Sequence, residues 1–208
     1  MKTNIPEIIS RLEKIYPNAE CALIHDNAFE LLIATILSAQ CTDERVNIVT
    51  QTLFKKYKTP RDFTLVQAEE LERDIYSTGF YKAKARNIQL CCSQLIERFG
   101  GEIPQTMEEL HSLAGVGRKT ANVVLGNAFG KNEGVTVDTH VTRICNLLGI
   151  VSSTNPEKIE RELMESVPRE KWTMFTHLII SHGRAVCIAR RPKCEICVLS
   201  SLCPSSKV

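Results

Sequence analysis

The sequence predicts an all-α fold. Apolar residues recur at three- and four-residue spacing through nearly the whole chain, and little alternates with the two-residue period of a strand. Breakers punctuate the periodic runs: Pro17, Asp26-Asn27, Pro60, Gly79, Gly100-Gly101 and Pro104, with Pro156 and Pro168 framing a later helix.

The runs follow in order. Ile5, Ile8, Ile9, Leu12 and Ile15 form one helical stripe, and Phe29, Leu32, Ile33, Ile36 and Leu37 a second. Val46, Val49, Leu53, Phe54 and Tyr57 repeat the pattern, as do Leu71 with Ile75, and Ile88 with Cys91, Cys92 and Leu95. The best strand candidate, Val135 to Val137, is short.

A length of 208 residues suits one domain or two small lobes, and 43% hydrophobic residues suffice for a sizeable core. Twenty-six Lys and Arg against 24 Asp and Glu leave a net charge of only +2. Any basic surface must therefore be local. Lys82, Lys84 and Arg86 form one cluster, and Arg118, Lys119 and Lys131 lie in a stretch free of acids. Arg184, Arg190, Arg191 and Lys193 make a third; each cluster alone reads as a solvated face. The opening Met1 to Pro6 lacks the apolar region of a secretory leader. The most apolar run, Phe29 to Leu37, is too short to span a bilayer. A cytoplasmic protein, nucleoid-associated if bacterial, is expected. Of nine cysteines, Cys21, Cys41, Cys91, Cys92 and Cys145 are scattered and read as small core residues in a reducing compartment.

Three stretches carry chemistry. The first is Leu113-Ala-Gly-Val-Gly-Arg-Lys-Thr-Ala121, between two helical segments. Gly115 and Gly117 lack Cβ atoms, so the turn can reach positive φ and approach another molecule closely. The N–H groups opening the second helix then form an anion site, suited to a phosphate. A nucleotide phosphate loop is excluded, because Lys119 follows Arg118 where that motif needs glycine. An ordinary helix hairpin fits this stretch equally well.

The second is Val135-Thr-Val-Asp-Thr-His140, where Asp138 reads as the N-cap or first turn of a helix running through Val141, Ile144, Leu147 and Leu148. By itself it is a plain cap. The third is Cys187, Cys194, Cys197 and Cys203, spaced C-x6-C-x2-C-x5-C. Disulfides suit a reducing compartment poorly, and four thiolates suit zinc and an iron–sulfur cluster alike.

Together these three stretches resemble the endonuclease III family of helix-hairpin-helix DNA repair glycosylases with a C-terminal [4Fe-4S] loop. The likeness runs from Phe29-Glu-Leu-Leu-Ile and Leu37-Ser-Ala-Gln-Cys-Thr-Asp43 to Cys203. It implies two helical lobes with a cleft between them. A barrel over residues 21–133 would contain the hairpin at about 106–129. The second lobe would combine 1–20 with 134–208 and end in the cluster loop, 187–203.

The resemblance also implies a bifunctional DNA glycosylase and abasic-site lyase. Lys119 would attack C1′ of a damaged, oxidised pyrimidine nucleotide, giving a Schiff base whose β-elimination cuts the strand 3′ to the site. An ammonium cannot attack, so Asp138 would take the proton or stabilise charge developing on the sugar. Flipping the base leaves a hole, assigned by the resemblance to Gln40 and to an apolar wedge at Phe80. Relatives usually carry Leu at the wedge, and proline where Ala114 loosens this turn. His111, where relatives often carry an acid, reads as a surface helix residue. Gly115, Gly117, Arg118, Arg190, Arg191 and Lys193 would hold DNA phosphates, and the four cysteines the cluster. Double-stranded DNA with damaged bases or abasic sites is the expected partner of a monomer. Two alternatives stand beside this reading: an adenine-mismatch glycosylase, which typically lacks the hairpin lysine, and a helix-hairpin-helix DNA-binding module without catalysis.

Overall fold

The computed structural model describes residues 4–208. The first three residues of the opening segment, and of the lobe expected over 1–20, lie outside the described residues. The described residues are helical, with no strand among them. The chain divides into two compact units, one of residues 1–21 with 132–208 and one of residues 22–131.

The unit of residues 22–131 is built on α2 (Ala28–Leu37). Every residue from Phe29 to Leu37 except Glu30 is buried, so α2 has an apolar surface all round rather than the single stripe expected. Its one other polar side chain, Thr35, donates to the Leu31 carbonyl at 2.7 Å. Asn27 caps α2, accepting from Glu30 N at 2.9 Å. Around α2 lie α3 (Asp43–Lys56), α4 (Pro60–Leu65), α5 (Ala68–Asp74), the long α6 (Tyr81–Phe99), α7 (Met107–His111) and α8 (Arg118–Phe129). Phe29 and Tyr57 both pack on the fully buried Phe63 of α4, with ring centroids 5.7 and 5.1 Å away. Gln89 of α6 donates to the carbonyls of Phe63 and Val66, joining α6 to α4.

The other unit packs α1 (Ile5–Ile15), α9 (Thr139–Leu147), α10 (Pro156–Ser166) and α11 (Trp172–Ala185). The expected α1 stripe is buried from Ile5 to Leu12, sharing a core with Val141, Ile144, Leu163, Phe175 and Ile179, while Ile15 is exposed. Val135 to Val137 pairs with no strand. The segment runs extended along α11, where Thr176 Oγ1 donates to the Thr136 carbonyl at 3.2 Å and Thr173 N to Asn132 Oδ1 at 3.0 Å. Gly183 of α11 lets α9 come close: a Cβ there would lie 2.5 Å from His140 Nδ1.

Of the scattered cysteines, Cys91, Cys92 and Cys145 are buried as expected, whereas Cys21 and Cys41 are only half-buried. Lys84 also departs from expectation. It is not part of a solvated basic face with Lys82 and Arg86 but is 5% exposed.

Candidate active site

The hairpin is α7, a tight turn, and α8. Thr106 caps α7, accepting from Glu109 N at 3.3 Å. In the turn, Val116 N donates to the Leu113 carbonyl at 3.1 Å. Only one of its glycines uses the left-handed region: Gly115 has φ of 74°, and a Cβ there would lie 3.0 Å from Asn87 Cβ. Gly117 is ordinary extended backbone, with φ of −86°, at the N-cap of α8. What it contributes is room, since a Cβ on it would meet nothing within 4 Å. Gly117 has no side chain with which to cap α8, and a helix N-terminus of this kind suits an anion. Arg118 and Lys119 occupy that first turn, and both are exposed, as is His111.

Ala114 does not simply loosen the turn. Its N–H, which proline would lack, donates to Gln94 Oε1 at 2.8 Å. The Gln94 contact fastens the turn to α6, and no local pattern in the sequence announced it.

Asp138 is the N-cap of α9, accepting from Val141 N at 2.8 Å. It is half-buried and follows the extended segment that α11 holds in place. A carboxylate has further lone pairs, so capping leaves Asp138 able to accept another proton or face a cation.

Gln40 and Phe80 share an unusual backbone. Gln40 follows the C-terminus of α2, and Phe80 is the N-cap of α6; their φ angles are 53° and 49°. Among the described residues no other non-glycine residue has positive φ. For a bulky side chain this conformation is strained, and such strain concentrates at functional sites. Both side chains are exposed, Phe80 to 66%, which is not the position of a core aromatic.

The four C-terminal cysteines line one cavity of about 200 Å³ with Ile144, Leu147 and Leu148. Short 3-10 turns, Cys194–Ile196 and Ser200–Leu202, bring Cys197 and Cys203 round to it. All four thiols line the same cavity, and four thiols so placed fit a cluster in which each iron would take one thiolate. Side chains that the sequence reading missed face these sulfurs. Arg143 Nη1 donates to Cys187 Sγ, and His182 Nε2 lies against Cys197 Sγ, each at 3.5 Å. Tyr16 Oη meets the other His182 nitrogen at 3.3 Å. Burial, then the Arg143 charge, pushes His182 down to about 4, so its ring is neutral near pH 7. Arg11 of α1 ties the loop to the core, donating to the Val198 carbonyl and to Ser201 Oγ, each at 2.9 Å. The loop between the first two cysteines is closed by Lys193 N on the Val186 carbonyl at 3.1 Å, with Arg190, Arg191 and Lys193 exposed.

The α7–α8 hairpin and a C-terminal loop whose four cysteines line one cavity define the class, a helix-hairpin-helix protein with a cysteine-rich C-terminal loop. Comparison with known proteins agrees. Residues 33–169 match the HhH-GPD superfamily of base excision DNA repair proteins, and residues 187–203 match the iron-sulfur binding domain of endonuclease III. The chain is 52% identical to an endonuclease III of Synechocystis sp., over 99% of its own length and 94% of that protein's. It is 49% identical to one of Bacillus subtilis, covering 96% and 93%. A solved structure described as a trapped endonuclease III–DNA covalent intermediate superposes with a TM-score of 0.94 at 47% identity, covering 100% of this chain and 97% of that one. The chain therefore belongs to the endonuclease III family of the HhH-GPD superfamily, base excision repair DNA glycosylases with abasic-site lyase activity and a [4Fe-4S] cluster. Among the described residues no helix is long and apolar enough to cross a membrane.

Proposed function

We propose that this enzyme excises oxidised pyrimidines from double-stranded DNA as a monomer, with Lys119 as nucleophile and Asp138 as its proton acceptor. The observation that carries the reading is Lys119 itself: an exposed amine in the first, uncapped turn of α8, beside a glycine that leaves space for a backbone to approach. Phosphates flanking the lesion dock on the N–H groups of that turn and on Arg118. Arg190, Arg191 and Lys193 take phosphates elsewhere on the duplex.

The flipped nucleotide presents C1′ to Lys119 Nζ. Asp138 accepts a proton from the ammonium, and the freed lone pair forms the N–C1′ bond. The glycosidic bond breaks with its electron pair leaving on the base, which takes up the proton that Asp138 accepted. The sugar ring opens to an imine between Nζ and C1′. Loss of a C2′ proton then expels the 3′ phosphate as the C3′–O bond breaks, and water releases the lysine. A carboxylate next to the sugar also stabilises positive charge developing there. The covalent intermediate described for the solved relative supports this route.

Gln40 and Phe80 fill the space that the flipped base vacates, Phe80 as an apolar wedge between base steps. Cys187, Cys194, Cys197 and Cys203 hold the cluster, which supplies metal–thiolate bonds that order the C-terminal loop and its cations. The test is a duplex carrying one thymine glycol, incubated with the enzyme and resolved on a denaturing gel. Strand cleavage at the lesion is expected. An intact strand, with cleavage only of preformed abasic sites, would refute the pyrimidine specificity.

A further inference from the structure

The mechanism leaves Lys84 unused, yet its placement links both strained residues. Lys84 lies on the first turn of α6 with its side chain buried, 5% exposed. Its ammonium donates to the Leu37 carbonyl at 2.8 Å and to the Thr78 carbonyl at 2.7 Å. Leu37 is the last residue of α2, and Thr78 is the last residue of the 3-10 turn Tyr76–Thr78. A helix ends with carbonyls that have no partner within it and with negative partial charge, so a cation is well placed there. This one ammonium serves two such ends at once.

Each end leads straight into a strained turn. From Leu37 the chain runs through Ser38 and Ala39 to Gln40; from Thr78 it runs through Gly79 to Phe80. The Thr78 side is further fixed by its own hydroxyl, which donates to the Ile75 carbonyl at 2.8 Å. Lys84 N also donates to the Phe80 carbonyl at 3.0 Å, so the same residue holds the Phe80 turn from both sides. Burial pulls the Lys84 ammonium below the ordinary lysine range, with a smaller opposing effect from Cys41. Desolvating an ammonium is unfavourable, and what offsets it here is a pair of neutral carbonyls. What the arrangement secures is geometry: the two turns have a common fixed point.

We propose that Lys84 is a positioning residue for base flipping, a buried strut that sets the spacing and aim of Gln40 and Phe80. The inference rests on the reading of those two residues as the pair that fills the vacated space. It predicts a defect confined to substrates that must be opened. A lesion inside a duplex needs the space filled, whereas a preformed abasic site in single-stranded DNA does not.

The experiment compares single-turnover rates of wild type and Lys84→Met on two substrates: a duplex with one thymine glycol, and a single strand with one abasic site. Excision from the duplex should fall roughly 10- to 100-fold, the scale of a misplaced reacting geometry. Cleavage of the single strand should change by less than about threefold, within the coupling of sites that share no partner. Lys84→Gln keeps an N–H donor, and should give the same selective loss at smaller amplitude even if Met at this site does not fold. An equal loss on both substrates makes Lys84 a general structural residue and overturns the proposal, as does no loss on either. Gln40→Ala and Phe80→Gly run in parallel separate the two layers. If neither slows duplex excision, the space-filling reading falls; if they do and the Lys84 variants do not, only the strut falls. Adding Lys84→Met to Phe80→Gly should cost less than the product of the single effects, because both act through one turn. Full multiplicativity contradicts the proposal.

Discussion

Gln40 and Phe80 lie 40 positions apart in the chain, yet each follows a helical segment whose last carbonyl is held by the same Lys84 ammonium, and each turns its backbone to positive φ. A non-glycine residue in this region costs of order 1–3 kcal/mol, and a residue so placed needs surroundings that over-determine it. The strain at Phe80 yields a prediction that separates stability from activity. Glycine accepts positive φ freely and is a tolerable N-cap, and little burial is lost because the ring is exposed. Phe80→Gly should therefore keep or raise the melting temperature while duplex excision falls about 10- to 100-fold, the loss of a wedge that unstacks bases. A variant that melts lower and excises normally would return Phe80 to a packing role.

Asp138 combines a cap with a carboxylate charge, and Asn divides the two. Asparagine caps a helix as well as aspartate does, so Asp138→Asn should retain the Val141 N–H bond and the melting temperature. Removal of the proton acceptor should slow base excision by roughly two to four orders of magnitude. Wild-type excision by the folded variant would leave Asp138 a structural cap.

These two cases show what a sequence exposes and what it hides. The α1 stripe and the cysteine spacing are local patterns, and local patterns were legible. The burial of Lys84 is legible as well, but only at the helical period and not in the run of neighbouring cations. Lys82, Lys84 and Arg86 are neighbours in sequence, yet on a helix Lys84 shares its face with Ile88, Cys91, Cys92 and Leu95, all of them buried. The hydrogen bond from Ala114 to Gln94 spans 20 residues and involves an unremarkable pair, so no spacing rule could find it. Positive φ at Gln40 and Phe80 was hidden for another reason. Glycine and asparagine advertise that conformation, whereas Gln and Phe are held in it only by their surroundings. Arg143 and His182 approach the cysteine sulfurs from α9 and α11, and Tyr16 at the end of α1 meets the other side of the His182 ring, an arrangement that only the packed core brings together.

Gly183 sets how closely α11 approaches α9. A methyl group there would lie 2.5 Å from His140 Nδ1 and 2.8 Å from Ile144 Cδ1, so the helices must part or the side chains must move. Gly183→Ala gains about 1 kcal/mol of helix propensity but loses about 1–3 kcal/mol to overpacking. The melting temperature should fall by about 2–4 °C for each net kcal/mol. Excision should fall with it, since α9 carries Asp138 at its N-cap. A melting temperature equal to or above wild type would show that the side chains relocate without strain.

The cluster loop is fastened by protein contacts as well as by metal. The protein should be yellow-brown from thiolate-to-iron charge transfer, and a colourless folded preparation holding zinc would refute the cluster. Cys197→Ala should lose folding of the loop and DNA affinity together. Arg11→Met tests the protein side of the fastening. It removes the bonds to the Val198 carbonyl and Ser201 Oγ, so oxidative bleaching of the colour should be about 10-fold faster, the scale of charge-assisted hydrogen bonds. Unchanged bleaching would mean that the metal bonds alone hold the loop.

Lys119 decides between a catalyst and a binding module. If it is the nucleophile, enzyme and sugar share an imine during each turnover, and borohydride reduction should convert that imine to a stable amine and trap wild-type protein on damaged DNA. Lys119→Gln removes the amine, nearly keeps the length and retains a good helix former in the first turn of α8. The variant should fold, keep its colour and bind lesion DNA. Trapping should be lost, and strand cleavage should fall to background. Abasic sites react with any nearby amine, so the substrate must carry an intact damaged base: weak residual trapping at Lys82 or the N-terminus on abasic DNA does not bear on the question. Salt supplies the control for binding. If the α8 turn and the basic loop neutralise several phosphates, affinity for undamaged DNA should fall steeply between low and physiological salt in wild type, and Lys119→Gln should reduce that slope by at most about one phosphate. Excision of an intact damaged base at wild-type speed by Lys119→Gln would make Lys119 a phosphate contact and require another nucleophile.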